Sequence, residues 1–159
     1  EMGRTIVSML SIRPAREDEV ELLSELALRS KGYWGYDAEF LEACREELTI
    51  TVERLGTESI WVAETAEGVA GFTSVLGGGE EAELMDFFVD PAHIGTGVGR
   101  ALWDRTIEVS RQLGASRLRI EADPNAESWY QARGARRVGE AASGSIPGRM
   151  LPLLELDLG

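Results

Sequence analysis

Val89-Asp90-Pro91-Ala92-His93-Ile94-Gly95-Thr96-Gly97-Val98-Gly99-Arg100-Ala101-Leu102 joins an apolar, aromatic stretch to a helical pattern through alternating glycines. Before it, Leu84-Met85-Asp86-Phe87-Phe88-Val89 reads as a short strand inside a sheet. After it, Val98, Ala101, Leu102, Val109 and Leu113 recur mostly at helical spacing. Glycine at 95, 97 and 99 leaves the backbone N–H groups without a shielding Cβ, so they can point at an anion. The positive end of the following helix adds to the attraction. The turn is expected to hold a phosphorylated cofactor. It is not a P-loop, because Arg100-Ala101 follows the last glycine where Lys and Ser or Thr would be needed. Nor is it a dinucleotide fingerprint, whose spacing is Gly-x-Gly-x-x-Gly after a first strand.

The 159 residues suit one domain with a full-sized core, and 43% hydrophobic with 28% charged content is ordinary for a soluble globular protein. Residues 1–8 read as an N-terminal extension or tag remnant, and 9–159 as a single domain. No apolar run reaches membrane-spanning length and no signal-peptide pattern is present, so a cytoplasmic protein is expected. One cysteine and one histidine cannot form a disulfide or a His/Cys zinc site, and no metal is expected. Cys44 reads as a small packed helix residue and His93 as a loop residue. Sixteen basic against twenty-eight acidic residues give a net charge of -12, which argues against nucleic acid. Acids crowd the first half and most arginines come at or after Arg100. A phosphate-rich cofactor would favour the basic half and a cationic amine the acidic half, unless both are simply solvated faces.

Ser11-Ile12-Arg13 reads as a first strand, and the acids after Pro14 open a helix with apolar Val20, Leu23, Leu26 and Ala27. Lys31-Gly32-Tyr33-Trp34-Gly35-Tyr36 breaks the periodicity, and Asp37 is a plausible N-cap for a second helix to about Leu48. The aromatics of that break either wall a substrate pocket or plug a helix corner. Residues 60–64 and 69–76 read as strands joined by a tight turn, with a third at 83–89. Strand 117–122, a short helix over 124–133 and strands at 135–138 and 151–158 complete the chain. Residues 143–149 form a loop rich in turn residues.

The glycine turn, preceded by Val89-Asp90-Pro91, resembles the signature of the GNAT superfamily of acyl-CoA-dependent N-acyltransferases. One position departs: Ile94 stands where that signature carries Arg or Gln, which removes a side-chain donor but no backbone N–H. A second block, Asn125-Ala126-Glu127-Ser128-Trp129-Tyr130-Gln131-Ala132-Arg133-Gly134-Ala135, is similar to the superfamily's Asn, aromatic-Tyr, Gly-aromatic block. Trp129 and Ala135 stand where Phe is common. The resemblance spans roughly residues 10–140. It implies an α/β (α+β) fold: a mixed, mostly antiparallel sheet of six to seven strands, flanked by about four helices and splayed between the fourth and fifth strands.

The resemblance further implies an N-acetyltransferase that moves an acetyl group from acetyl-CoA to a primary amine of a small molecule or peptide by direct attack. A noncatalytic acyl-CoA-binding sensor is the alternative. Cofactor contacts are expected from Phe87, Phe88 and Val89 on the strand, from Ile94, Gly95, Thr96, Gly97, Val98, Gly99 and Arg100 at the turn, and from Asn125, Tyr130 and Arg133 in the second block. Tyr130 matches the general-acid tyrosine, whose phenol can serve the departing thiolate. Glu83 is preferred as the base, with Asp86, Glu121 or water left open. In an unbulged strand Glu83 and Asp86 point to opposite faces, so only a distortion could bring both to one pocket. Trp34, Tyr36 and Arg149 are the candidate acceptor residues, with Arg149 suited to a carboxylate on the amine. The expected partners are that amine, with no nucleic acid and no membrane; a homodimer is left open.

Overall fold

A computed structural model describes residues 10–159, so the extension expected over residues 1–8 lies outside the described residues. The chain enters through strand β1 (Ser11–Pro14) and a single 3-10 turn at Glu17–Glu19. Helix α1 (Val20–Gly32) follows, and its Leu23, Leu26 and Ala27 form one buried stripe at i, i+3 and i+4. Helix α2 (Ala38–Leu48) begins where expected, because the Asp37 side chain accepts the Phe40 N–H at 2.8 Å. Thr51 caps a further short helix, α3 (Val52–Thr57), by accepting the Arg54 N–H at 3.2 Å. The sequence reading did not anticipate α3.

Strands β2 (Ser59–Thr65), β3 (Gly68–Leu76) and β4 (Glu81–Val89) form an antiparallel meander. Helix α4 (Val98–Gln112) then carries the chain back to β5 (Arg117–Glu121), which runs parallel to β4. Parallel neighbours cannot be joined by a hairpin, and α4 is the required crossover. Helix α5 (Glu127–Gln131), β6 (Arg136–Ala142) and β7 (Met150–Asp157) complete the order of elements. The last strand inserts between its predecessors, so the seven-stranded sheet runs β1-β2-β3-β4-β5-β7-β6. The expected mixed, mostly antiparallel sheet is borne out.

Two layers of helix cover the sheet. On one face α1 and α2 pack Leu23, Leu26, Cys44 and Leu48 against Ile60, Val62 and Phe72. Cys44 is thus a packed core residue, as its sequence context predicts. On the other face α4 presents Val98, Leu102, Trp103, Thr106 and Val109, a helical stripe, to the sheet. A Cβ at Gly71 would lie 2.9 Å from Leu102 Cδ1 and 2.7 Å from the Phe88 carbonyl oxygen. Glycine there lets α4 close on β3.

Two irregularities in β4 position the carboxylates and open the sheet. Ser74 pairs with Asp86 but Val75 pairs with Leu84, which makes Met85 an extra, bulged residue. The bulge shifts the alternation by one, so Glu83, Asp86 and Phe88 share the face of Leu76, Ser74 and Phe72. This is the distortion that an unbulged reading of the strand lacks. Secondly, β4 and β5 pair only from Glu81↔Arg117 to Leu84↔Ile120. Beyond Leu84 the strands part, and the sheet splays between its fourth and fifth strands as expected.

Candidate active site

The splay opens a cleft of about 320 Å³, at the lower end of the usual range for small-ligand sites. Its walls come from the part of β4 that has left β5 (Asp86, Phe87, Phe88, Val89), from Ile120 to Asp123, and from α5 through Trp129 and Tyr130. Ile94, Gly95 and Gly99 of the glycine turn close one end. Tyr33 and Trp34 of the α1–α2 connection form an exposed aromatic rim, their rings edge to face at 5.5 Å.

The glycine turn has the geometry its sequence predicts. Gly95 and Gly97 take φ values of 81° and 92°, the left-handed region that favours glycine. The first helical bond of α4 runs from the Ala101 N–H to the Gly97 carbonyl, at 3.1 Å. The N–H groups of Val98, Gly99 and Arg100 therefore have no helical acceptor, and they sit at the positive end of a fifteen-residue helix. Thr96 is exposed, and its hydroxyl donates to the His93 carbonyl. Thr96, Gly97, Val98 and Arg100 flank the cleft without being among its lining residues.

Tyr130 is buried in a nest of aromatic rings formed with Phe87, Trp103 and Trp129. Its hydroxyl lines the cleft and has no hydrogen-bond partner among the described residues. Burial pushes the phenol above its ordinary pKa, with the charges of Asp123 and Asp86 adding to the effect. It is therefore a neutral donor aimed into open space. Arg133 is not among the lining residues; its guanidinium stacks 3.7 Å over the ring of Trp129, which is, and donates to the Trp129 carbonyl at 2.9 Å.

The carboxylates of the fourth strand separate cleanly. Glu83 lies where β4 is still paired to β5, opposite Arg119, and is not among the lining residues. Asp86 stands beyond the parting of the strands, 5% exposed, and lines the cleft. Its Oδ2 accepts from Arg54 Nη2, while its Oδ1 has no partner among the described residues and is left to the cleft. Burial raises its carboxyl to about 6, although Arg54 pulls the other way. Glu121 is exposed at the lip, and Glu47 of α2 faces the same space.

Behind the rim lies a network that sequence reasoning did not assemble. Asp123 accepts from Lys31 Nζ at 2.8 Å, the Tyr36 hydroxyl at 3.0 Å, the Asn125 N–H at 2.8 Å and Asn125 Nδ2 at 2.9 Å. Arg149 Nη2 donates to the Tyr36 hydroxyl at 2.8 Å and stands 3.8 Å from Asp123. Burial would raise Asp123, but Lys31 and the other donors hold it below the usual carboxylate range. Trp34 and Asn125 line the cleft, whereas Tyr36 and Arg149 stand behind its wall. The Thr51 cap is the signal that would have found α3 and Arg54; the contacts around Asp123 span up to 113 positions and carry no local signal. Among the described residues no group of three or more His, Cys, Asp or Glu could hold a metal, and no helix is long and apolar enough to cross a membrane.

Comparison with known proteins agrees with this geometry. Part of the chain is 30% identical to serotonin N-acetyltransferase 2, chloroplastic, of Oryza sativa subsp. japonica, over 83 residues. That match takes in 49% of this chain and 42% of the rice protein, less than half of its length. PaiA N-acetyltransferase of Thermoplasma acidophilum, solved in complex with coenzyme A, superposes with a TM-score of 0.76 at 17% identity, covering 93% of this chain and 98% of that one. A GCN5-related N-acetyltransferase from Rhodopseudomonas palustris gives a TM-score of 0.77 at 21% identity, over 92% and 94% of the two chains. These likenesses concern the fold. The profile of the family described as "Acetyltransferase (GNAT) domain" matches residues 15–144, which include the glycine turn and the Tyr130 block, and the chain belongs to that family.

Proposed function

We propose that this chain is an acetyl-CoA-dependent N-acetyltransferase that acylates a primary amine by direct attack. The observation that carries the reading is the convergence on one cleft of a helix N-terminus with free N–H groups, the unpartnered hydroxyl of a buried tyrosine and the open oxygen of a buried aspartate. The residues fit the cofactor. Left-handed Gly95 and Gly97 and the open N–H groups of Val98, Gly99 and Arg100 suit a pyrophosphate. Past Leu84 the β5-side edge of β4 has no strand partner, so the backbone of residues 85–89 is available to an amide-bearing arm and to the thioester oxygen. Asn125, on the opposite wall, has an amide for the same arm.

In this reading Asp86 takes the proton of the acceptor ammonium through Oδ1, directly or by one water. The neutral amine attacks the thioester carbon, the C–N bond forms, the C–S bond breaks, and the nitrogen gives up its second proton to water, the same water that protonates the departing thiolate. Tyr130 holds a hydrogen bond on the departing sulfur. Because burial raises its own pKa, it serves as a donor, and the thiolate takes its proton from water. Asp86 replaces Glu83 as the proposed base because it borders the cleft beyond the point where the strands part.

The charge of the lining favours a cationic acceptor. Glu47, Asp86, Glu121 and Asp123 border the cleft, and Lys31, its basic neighbour, is paired with Asp123. Tyr33 and Trp34 offer ring faces to an apolar or cationic body. An amine acceptor also accords with the rice relative, whose name specifies serotonin. The test is free-thiol release from acetyl-CoA across a panel of amines, run beside CoA thermal shift. Cofactor binding without turnover on any amine would favour the noncatalytic sensor.

A further inference from the structure

Asp86 is held by a buried cluster to which the proposed acyl transfer assigns no part. The guanidinium of Arg54, from α3, donates through Nε to Glu58 Oε2 at 2.8 Å and through Nη2 to Glu58 Oε1 at 2.7 Å. The second N–H of Nη2 goes to Asp86 Oδ2, and Nη1 donates to the Thr49 carbonyl at 3.1 Å. Ser74, the β3 partner of Asp86, donates its hydroxyl to Glu58 Oε1. The side chains of Arg54, Glu58 and Asp86 are 19%, 7% and 3% exposed. One guanidinium therefore serves two buried carboxylates, and the cluster carries one surplus negative charge. Such an arrangement is costly as a device for stability alone, since a buried charge without a full partner is disfavoured.

We propose that Arg54, oriented by Glu58, is the positioning residue of the acceptor-side base: it fixes Asp86 Oδ2 so that Oδ1 points into the cleft, and keeps Asp86 ionised when the ammonium arrives. This rests on Asp86 as the base. The contacts divide the labour. Glu58 grips Arg54 with both oxygens, so the guanidinium stays in place when Asp86 takes up a proton, and the surplus charge of the cluster is what that proton cancels. Neither Arg54 nor Glu58 is among the cleft-lining residues, so both act through Asp86. The bulge at Met85 brings Asp86 onto the Ser74 face, within reach of α3.

The charged and titratable groups that bear on Asp86 are Arg54, Glu58 just after α3, Glu47 of α2 and Tyr130 of α5. Arg54 favours the ionised form, while burial, Glu58 and Glu47 oppose it. Two substitutions should therefore move Asp86 in opposite directions. The experiment is a pH titration of the full chain labelled with ¹³C at the aspartate carboxyls, with the Asp86 resonance assigned by its loss in Asp86→Asn. Arg54→Gln should move the Asp86 midpoint upward by about 1–3 pH units, and Glu58→Gln should move it downward. Arg54→Lys, which keeps the charge but not the fork, should give a smaller upward shift and serves if Arg54→Gln does not fold. The acid limb of kcat/KM, read by thiol release with the best acceptor of an amine panel, should follow the same order. An unmoved midpoint in both Arg54 variants, or shifts of the same sign for Arg54→Gln and Glu58→Gln, would overturn the proposal. Failure of the base assignment looks different: Asp86→Asn would keep wild-type turnover whatever the midpoints do.

Discussion

Lys31 Nζ lies 2.8 Å from Asp123 Oδ2, and this single contact ties the last turn of α1 to the segment that leaves β5. The same carboxylate orders Asn125 through both its backbone N–H and its side-chain amide. In the proposed reading, an acceptor-side element and a cofactor-side element thus share one anchor. Asp123→Asn should lower stability by about 1.5–3 kcal/mol, the range for hydrogen bonds to a charged group, and should weaken CoA binding through Asn125. Asp123 sits below its ordinary range when folded, so its contribution is present at neutral pH and is lost as pH falls through that depressed value. Thermal melts of both proteins should therefore differ most near neutrality and converge in strong acid. Equal melting temperatures at pH 7 would show that the network contributes nothing.

The glycine turn makes a sharper prediction at Gly97. A Cβ there would meet nothing within 4 Å, so the protein has room for it, and the fold suffers only the strain of a positive φ. That strain is about 1–2 kcal/mol. The open space is the space a pyrophosphate would use. Gly97→Val should therefore remain folded yet lose the rise in melting temperature that CoA gives the wild type. A folded Gly97→Val that keeps the full shift would refute the assignment of this turn to the cofactor.

Tyr130→Phe removes a hydroxyl that has no protein partner, so the aromatic nest should pack as before. Turnover should fall by roughly 10²–10³-fold, the usual cost of losing a hydrogen-bond donor to charge that develops in the transition state, while CoA affinity by calorimetry should barely change. Wild-type kcat in this variant would make Tyr130 a packing residue alone.

Most of the fold was legible because its signals are local. The Asp37 cap, the α1 stripe and the alternating glycines each depend on residues a few positions apart, and the structure reproduces all three. The order of the last strands was not legible, because nothing local distinguishes β7 beside β5 from β7 at the edge. That Asp86 and not Glu83 borders the cleft was illegible for a similar reason. A bulge at Met85 depends on the pairing of β3 with β4, and the alternation of an ideal strand gives no hint that Asp86 will reach Arg54. Asn125 and Tyr130, named from their family block, both border the cleft, whereas Lys31 and Asp123 meet across 92 positions and could be paired only in three dimensions.

Asp86 gives the protein a pH signature. Its folded carboxyl is raised to about 6 by burial, above the ordinary 3.8, so the ionised form is what costs stability. That cost is absent below the ordinary value, grows as pH rises towards 6 and is complete above it. Asp86→Asn keeps the Arg54–Glu58 fork but removes the surplus charge. It should melt higher than wild type at pH 8, the advantage should fade towards pH 4, and turnover should be lost. A variant less stable than wild type at pH 8 would mean that the Arg54 contact outweighs the burial of the charge.

Arg149 is the residue whose expected part changes most. As a clamp for a substrate carboxylate its guanidinium would have to be free and turned into the cleft. Instead it donates to the Tyr36 hydroxyl at 2.8 Å, and its guanidinium carbon lies 4.9 Å from the Phe40 ring centroid and 5.3 Å from that of Tyr36. Its backbone carbonyl accepts the Ser143 N–H at 2.8 Å and closes the loop between β6 and β7. A second tie runs beside it, from the Ser145 hydroxyl to Glu47 of α2. These contacts make Arg149 the pin that holds that loop against the α1–α2 connection, and with it the ring of Tyr36. Arg149→Ala should therefore raise the KM of every acceptor by a similar factor, whether or not the amine carries a carboxylate, because the wall itself loosens. Arg149→Lys should recover part of the loss, since a cation can still reach Tyr36 and Asp123 but cannot stack as a plane. Matched pairs of an amine and its α-carboxylate, such as phenethylamine and phenylalanine, separate the two roles. A loss confined to the carboxylate member would restore the clamp and dismiss the pin.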